Sequence, residues 1–188
     1  TVKEKVPMDS NQTRTHVVFT LTGTDRIGLV DDITELLLAL DGNVETSRMA
    51  RLGGEFAVLM LVSLPPEQVA ALRPQFEGLT TEGYKLTITL TRPGPAEVAM
   101  GWPYRIEVEG ADHEGIIHEI AHHLSQRGIN IESIDTGTRP APVSGTPLFN
   151  MRALVAVPPS LQGEDWQTTL EEVAQRLNVE IEVTEGAA

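Results

Sequence analysis

The chain contains no cysteine among its 188 residues. A disulfide framework, a thiolate nucleophile and a cysteine-ligated zinc site are therefore excluded. Long hydrophobic runs are also missing: no uninterrupted apolar stretch reaches the ~18 residues of a membrane span, and the first residues do not follow the pattern of a signal peptide. We therefore expect a soluble protein of the cytoplasm, and no cofactor is predicted.

Aromatic residues and basic charge are scarce. Aromatic side chains make up 4% of the chain, and 14 basic against 27 acidic residues give a net charge of −13. A protein that binds nucleic acid directly usually carries a basic stripe for the phosphates and aromatic side chains for the bases. Direct binding to nucleic acid is therefore not expected. A role in transcription would require a protein partner.

One eight-residue stretch is present twice. Gly23–Val30 reads GTDRIGLV, and 87 positions later Gly110–Ile117 reads GADHEGII. Both contain Gly-x-Asp-x-x-Gly followed by two aliphatic residues. Each copy follows an alternating apolar run and precedes apolar residues at helical spacing, which predicts a strand, a tight loop and a helix N-terminus.

The similarity extends along the whole of two units, and the second unit has about six extra residues around 139–147. In both units the hydrophobic periodicity predicts the order βαββαβ. Pro74 is expected to break the second helix of the first unit. The predicted fold is α+β: two ferredoxin-like domains in tandem, each an antiparallel sheet with helices on one face. The predicted boundaries are a tail at 1–15, domains at 16–91 and 103–185, and a linker at 92–102.

The two loops are the candidate ligand site. A helix N-terminus offers free backbone N–H groups and a partial positive charge to a small anion. An asparagine after each first helix can add an amide that both donates and accepts. The predicted ligand-binding residues are Asp25, Arg26, Ile27, Gly28, Leu29, Val30, Asn43, Asp112, His113, Glu114, Gly115, Ile116, Ile117 and Asn130.

Several of these residues have two interpretations. Asp25 and Asp112 can cap their own turn, or they can contact a ligand amino group. Arg26 can bind a carboxylate, whereas a neutral His113 cannot pair with one, so the loops need not bind the same group.

The glycines and asparagines also have two interpretations. Gly28 and Gly115 can allow the helix to pack closely on its strand, or they can line a pocket with backbone. Asn43 and Asn130 can be turn residues only.

The segment 118–122 reads HEIAH and matches the H-E-x-x-H motif of zinc peptidases. Its helix is expected to bury the face of Ile117, Ile120, Ala121 and Leu124, which leaves His118 and His122 toward solvent. A third ligand at the spacing of one large zinc-peptidase class is missing, because Gly128 occupies that position. We interpret the motif as a chance occurrence and predict no metal site; a metal-dependent hydrolase is the remote alternative.

A βαββαβ unit with this glycine loop, and with Asn-Val-Glu or Asn-Ile-Glu at its second strand, resembles an ACT domain. The resemblance covers residues 16–91 and 103–185. It implies a module that senses a small molecule, most often an amino acid.

A pair of ACT domains without a catalytic domain is similar to the glycine cleavage system transcriptional repressor group. The segment Val44–Met49, followed by Gly53, Gly54 and Phe56, resembles the first domain of that group. The resemblance implies a non-enzymatic regulator that senses glycine or a related amino acid at the domain interface. It would act through a DNA-binding partner protein, as a homodimer. The alternative is a regulatory subunit of an amino-acid metabolic enzyme.

Overall fold

The computed structural model describes residues 14–91, 101–142, 145–161 and 164–186. The chain divides into two compact units at residues 94 and 95. Within the described residues, no helix is long and apolar enough to cross a membrane. Each unit is described by itself below.

The first unit has four strands, one regular helix and a helical segment made of short pieces. Its elements are β1 (Thr15–Thr24), α1 (Leu29–Leu38), β2 (Asn43–Leu52), β3 (Glu55–Leu64), a 3₁₀ helix (Pro66–Ala71), α2 (Leu72–Gln75), α3 (Glu77–Thr81) and β4 (Lys85–Thr91). The predicted break near Pro74 is confirmed, because α2 ends at Gln75 and a new helix begins at Glu77.

The second unit repeats this order with a longer second helix. Its elements are β5 (Trp102–Ala111), α4 (Ile116–Gln126), β6 (Asn130–Pro140), β7 (Pro147–Val157), a 3₁₀ turn (Pro159–Leu161), α5 (Trp166–Leu177) and β8 (Val179–Glu185). Thr15 and Trp102, which the sequence analysis assigned to tail and linker, begin β1 and β5. Apart from Arg14 and Gly101, the other tail and linker residues, 1–13 and 92–100, lie outside the described residues.

The two sheets have the same topology. The strand orders are β2-β3-β1-β4 and β6-β7-β5-β8, and all pairs are antiparallel. A β-bulge interrupts β2 at Glu45 and β6 at Glu132, which are equivalent positions of the repeat. The predicted α+β fold with two ferredoxin-like units is confirmed.

Each unit has its own core between one sheet face and its helices. Alternate residues of β1 and β5 point to the helices, because strand side chains have a period of two. The principal core residues of the first unit are Val17, Phe19, Leu21, Leu29, Ile33, Leu37, Met60, Val62, Leu72 and Phe76. Those of the second are Ile106, Val108, Ile116, Ile120, Leu124, Met151, Val155, Trp166, Leu170 and Val173.

The buried face of α4 is rotated from the predicted one, and α1 buries the equivalent face. Leu29 and Ile116 are buried, whereas Val30 and Ile117 are 40% and 43% exposed. The buried residues recur at i, i+4 and i+8 along each helix. Each helix begins with two adjacent aliphatic residues, and either one continues the apolar face at helical spacing. The sequence pattern alone therefore did not show which of the two is buried. The prediction that Ile117 lies on the core face is wrong.

The insertion in the second unit lengthens one hairpin. Gly53 and Gly54 connect β2 to β3, whereas β6 and β7 are each one residue longer and are joined through residues 141–146. Arg139, Pro140 and Pro147, at the ends of the segment where the sequence places the extra residues, belong to the strands and pair across the hairpin. Residues 143 and 144 lie outside the described residues.

The first glycine of each loop permits close packing. A Cβ placed on Gly23 would lie 2.4 Å from the Tyr84 ring, and one on Gly110 would lie 2.7 Å from Val179 Cγ1. Both neighbours stand at or just before the start of the last strand of the unit. Both repeats therefore have a glycine at the point where the first strand of the unit, β1 or β5, packs against the start of its last strand, β4 or β8.

We predict that Gly23→Ala lowers the free energy of unfolding by about 1–3 kcal/mol, the usual cost of overpacking a filled core. Gly78→Ala is the matched control. No atom lies within 4 Å of a Cβ at Gly78, and alanine is favoured over glycine in a helix by roughly 0.5–1 kcal/mol. Urea denaturation of both variants tests this. A Gly23→Ala variant as stable as the parent would contradict it.

Candidate functional site

The two glycine loops connect the first strand of each unit to its first helix. Each loop is fixed to the neighbouring hairpin by one backbone hydrogen bond. The N–H of Asp25 donates to the carbonyl of Gly54, and the N–H of Asp112 donates to the carbonyl of Pro147, both at 3.0 Å. The loops therefore leave the sheet at equivalent positions, although the two hairpins differ in length.

Gly28 and Gly115 are the N-cap residues of α1 and α4. Their φ angles are 86° and 95°, in the left-handed region. A Cβ at Gly28 would meet only the tip of the Arg26 side chain at 4.0 Å, and one at Gly115 would meet nothing within that distance. The interpretation of these glycines as packing residues is therefore wrong. They are required by the backbone conformation.

Neither helix N-terminus is capped by a side chain. The first regular helical bonds run from Asp32 N–H to the Gly28 carbonyl and from Glu119 N–H to the Gly115 carbonyl, both at 2.9 Å. The N–H groups before them in each first turn have no acceptor within their own helix. Each loop thus ends in an uncapped, electropositive turn.

The predicted site residues around these turns differ in accessibility. Leu29 and Ile116 are buried, so their side chains belong to the core and only their backbone faces the turn. Ile27 is fully exposed, and Val30 and Ile117 are partly exposed. Glu114 occupies the place of Ile27 in the second loop and is also exposed. One loop therefore presents an apolar tip and the other an acidic one.

Arg26 is held at the first loop by two carboxylates and a ring. Its Nη2 lies 2.6 Å from Asp32 Oδ2 and 3.5 Å from Glu82 Oε2. Its guanidinium carbon lies 6.0 Å from the centre of the Tyr84 ring. The hydrogen bond to Asp32 is the main cause that raises the pKa of Arg26 above its ordinary value. These partners come from elements up to 58 residues away, and no sequence pattern indicated them.

Asp25 does not cap its own turn. Its Oδ2 accepts from Arg51 Nε at 3.0 Å, across to the end of β2. The interpretation of Asp25 as a cap of its own turn is therefore wrong, because Arg51 of β2 binds its carboxylate. Asp112 is exposed and does not cap α4 either.

His113 is placed to carry a positive charge. Its Nε2 lies 2.7 Å from the carbonyl oxygen of Leu177, and its Nδ1 lies 2.9 Å from that of Glu114. A carbonyl only accepts, so both ring nitrogens must donate, and only the imidazolium can do so. The Leu177 carbonyl, then that of Glu114, raise the pKa of His113. These contacts favour the imidazolium over the neutral form that the sequence analysis considered for His113.

The two asparagines lie at the other end of their sheets. Asn43 of β2 pairs with Ser63 of β3, whereas Gly23, at the start of the glycine loop, pairs with Phe56 near the other end of β3. Seven residues of strand separate these points, roughly 23 Å. Asn43 instead donates to Glu45 Oε1 at 3.4 Å. Asn130 occupies the same register in the second unit. A small ligand in a loop cannot also contact the asparagine of that unit.

The HEIAH segment does not form a metal site within the described residues. His118 and His122 are exposed, as predicted, and their rings stack with centres 5.8 Å apart. The Nε2 of His122 lies 2.9 Å from the amide nitrogen of Gln126. The described residues contain no group of three or more His, Asp or Glu side chains that could hold a metal ion.

Comparison with known proteins is consistent with this geometry. Residues 15–89 match the profile of the ACT domain. A crystal structure of a protein of unknown function from Galdieria sulphuraria is 33% identical, with a TM-score of 0.81, and the match covers 93% of this chain and all of that one. This chain is a member of the ACT-domain family. The second unit of this ACT-domain protein has the same strand order and the same glycine loop as the first.

Two further relatives match over most of the chain. The glycine cleavage system transcriptional repressor of Escherichia coli strain K12 is 25% identical over 171 residues, 88% of this chain and 87% of that protein. A crystal structure of a protein provisionally named as a glycine cleavage system transcriptional repressor has the same fold. It shows 22% identity and a TM-score of 0.67, over 93% of this chain and 99% of that one.

The charge of His113 predicts a pH dependence with a definite sign. Its folded pKa is raised above the unfolded value of about 6.5. The stability it contributes is therefore complete below about pH 6.5 and is lost as the pH rises through the folded pKa.

His113→Gln tests this dependence. The difference in the free energy of unfolding between parent and variant should decrease as the pH is raised from about 5.5 to 8.5. His123, whose pKa is lowered by burial, is present in both proteins, so its opposite effect cancels. A difference that does not change with pH would show that His113 is not held as an imidazolium.

Proposed function

We propose that this protein is a non-enzymatic regulator that senses a small amino acid at its glycine loops. The proposal rests on the two uncapped helix N-termini. One occurs in each repeat, and each follows a glycine with a left-handed backbone conformation. An uncapped first turn is a favourable place for a carboxylate, because its N–H groups and the helix dipole both attract an anion.

The side chains beside each turn suit a zwitterion. Each loop carries one aspartate, Asp25 or Asp112, and one cation, Arg26 or His113. An amino acid offers a carboxylate to the N–H groups and the cation, and an ammonium group to the aspartate. Arg26 and Asp25 are now paired with exposed partners. Exposed ion pairs contribute only about 0–1 kcal/mol, so a ligand can replace them at little cost.

Regulation through a partner protein agrees with the charge and with the relatives. The net charge of −13 disfavours direct contact with DNA, and the Escherichia coli relative is named a transcriptional repressor. We infer that the ligand changes which arrangement of the protein binds its partner. A ligand can do this only by binding one arrangement more tightly than another.

The proposed contacts can be tested by removing a single N–H group. Val30 is the second residue of α1 and is partly exposed, and proline is tolerated in the first turn of a helix. Val30→Pro deletes the N–H and should weaken amino-acid binding at this loop by at least tenfold, about 1.4 kcal/mol. Ile117→Pro is the equivalent variant of the second loop. Calorimetric titration with glycine and the other common amino acids provides the measurement.

Val30→Ala and Ile117→Ala are the matched controls, because they shorten the side chain and keep the N–H. Circular dichroism should show all four variants folded. The occupied loop is identified by the proline variant that loses binding while its alanine control keeps it. The loop-centred proposal would be contradicted if both proline variants bound every amino acid with the same affinity as the parent protein.

The partner-mediated mechanism predicts that the protein alone does not bind duplex DNA at physiological salt. Phosphate contacts dominate nonspecific affinity, and this chain has an excess of acidic residues. Fluorescence anisotropy with labelled duplex at about 0.15 M salt should show no saturable binding below micromolar concentration. Tight binding that weakens steeply with added salt would contradict the partner-mediated mechanism and indicate that the protein recognises DNA directly.

A further inference from the structure

A cavity in the second unit opens between the start of β5 and the start of α5. Its volume is about 370 Å³, within the range of small-molecule sites. It is lined by Trp102, Tyr104, Val157, Leu161, Glu164, Asp165, Trp166, Gln167 and Glu185. We call these residues the tryptophan pocket.

The pocket gathers aromatic side chains that are rare elsewhere in the chain. It contains both tryptophans and one of the two tyrosines. Tyr104 and Trp166 pack edge to face, with ring centres 5.3 Å apart and planes at 84°. Trp166 is 5% exposed and belongs to the core, whereas Trp102 is 47% exposed. A large indole left half in solvent beside a cavity indicates a binding surface.

The charged residues of the pocket are all acidic. Glu164, Asp165 and Glu185 line it and are exposed, and none of its lining residues is a lysine, arginine or histidine. Asp165 uses Oδ1 to cap α5, accepting from Thr168 N–H at 3.2 Å. The cap offsets part of the positive end of the helix dipole. The lining therefore carries three carboxylates and no basic side chain.

Trp102 and Tyr104 have no aromatic counterpart in the first unit. The pair of Trp102 and Val157 corresponds to that of Thr15 and Leu64 in the matching register. Tyr104 corresponds to Val17, which is fully buried. The aromatic lining at the start of β5 is thus particular to the second repeat.

The pocket is also separate from the glycine loop of its own unit. Trp102 begins β5, and the loop follows Ala111 at the other end of that strand. A strand of this length spans about 30 Å. Substitutions of pocket residues therefore leave the residues of the glycine loop unchanged, and the two sites can be tested independently.

We propose that the tryptophan pocket binds a small organic cation, through the faces of its aromatic rings and the charge of its carboxylates. Aromatic surfaces attract ammonium, guanidinium and quaternary ammonium groups, and they do so more strongly where water is partly excluded. The cation is either a free metabolite or the side chain of a lysine or arginine on a protein partner.

Intrinsic fluorescence reports directly on this pocket, because both tryptophans of the chain lie in it. The full-length protein is titrated with choline and with 3,3-dimethylbutan-1-ol, its neutral isostere. A blocked lysine amide with a free side-chain amine is titrated in parallel. We expect a saturable change with choline, with the lysine derivative or with both, and none with the alcohol. Tighter binding of choline identifies a small-molecule ligand, and tighter binding of the lysine derivative identifies a protein side chain.

Two variants and a control localise the binding. Trp102→Leu and Glu185→Gln should each weaken cation binding by about fivefold or more, the scale of a ~1 kcal/mol cation–π or charge contribution. Glu180→Gln removes a carboxylate from the same strand outside the pocket and should change nothing. Trp166 remains as a reporter in every variant. Equal binding of the alcohol, absence of saturable binding, or unchanged affinity in Trp102→Leu and Glu185→Gln would each overturn the proposal.

Discussion

A left-handed glycine before a helix is the constraint on which the rest of this structure depends. Gly28 and Gly115 turn the chain from strand to helix without a side-chain cap, and only the tip of Arg26, at Gly28, comes within 4.0 Å of a Cβ placed there. A capping serine or aspartate would satisfy the first N–H groups of the helix from within the protein. Leu29 N–H donates to the Arg26 carbonyl, whereas no capping side chain occupies the N–H groups that follow it in α1 or those of the first turn of α4. The same geometry in two units with different surroundings supports a binding role over a purely structural one.

The two repeats share their backbone and differ in the side chains placed on it. Arg26 is held by carboxylates of its own unit, whereas His113 is held by two carbonyls, one of them at the end of α5. The first loop therefore has a permanent cation, whereas the second has a histidine whose pKa is raised by its carbonyl partners. The start of the first strand differs as well, because Thr15 and Val17 of the first unit correspond to Trp102 and Tyr104 of the second. Duplication preserved the fold while each copy acquired its own chemistry.

The fold could be predicted from the sequence because its signals are local. Alternating apolar residues, the repeated loop and Pro74 act within a few residues of each other, and the structure has the elements they predicted. The partners of the loop residues could not be predicted, because they are set by tertiary contacts. Arg51 reaches Asp25 from another strand, and the Leu177 carbonyl that contacts His113 Nε2 is 64 residues away. The asparagines follow each helix in sequence, but the helix carries them to the opposite end of the sheet.

The most direct test of amino-acid sensing at the loops is the amide NMR spectrum of the ¹⁵N-labelled protein during titration with amino acids, beginning with glycine. A carboxylate bound at an uncapped turn shifts the N–H groups that donate to it. The account predicts that the largest shifts occur at Val30 and Asp31, at Ile117 and His118, or at both pairs. A saturable titration in which these four amides stay unmoved while amides elsewhere shift would contradict it.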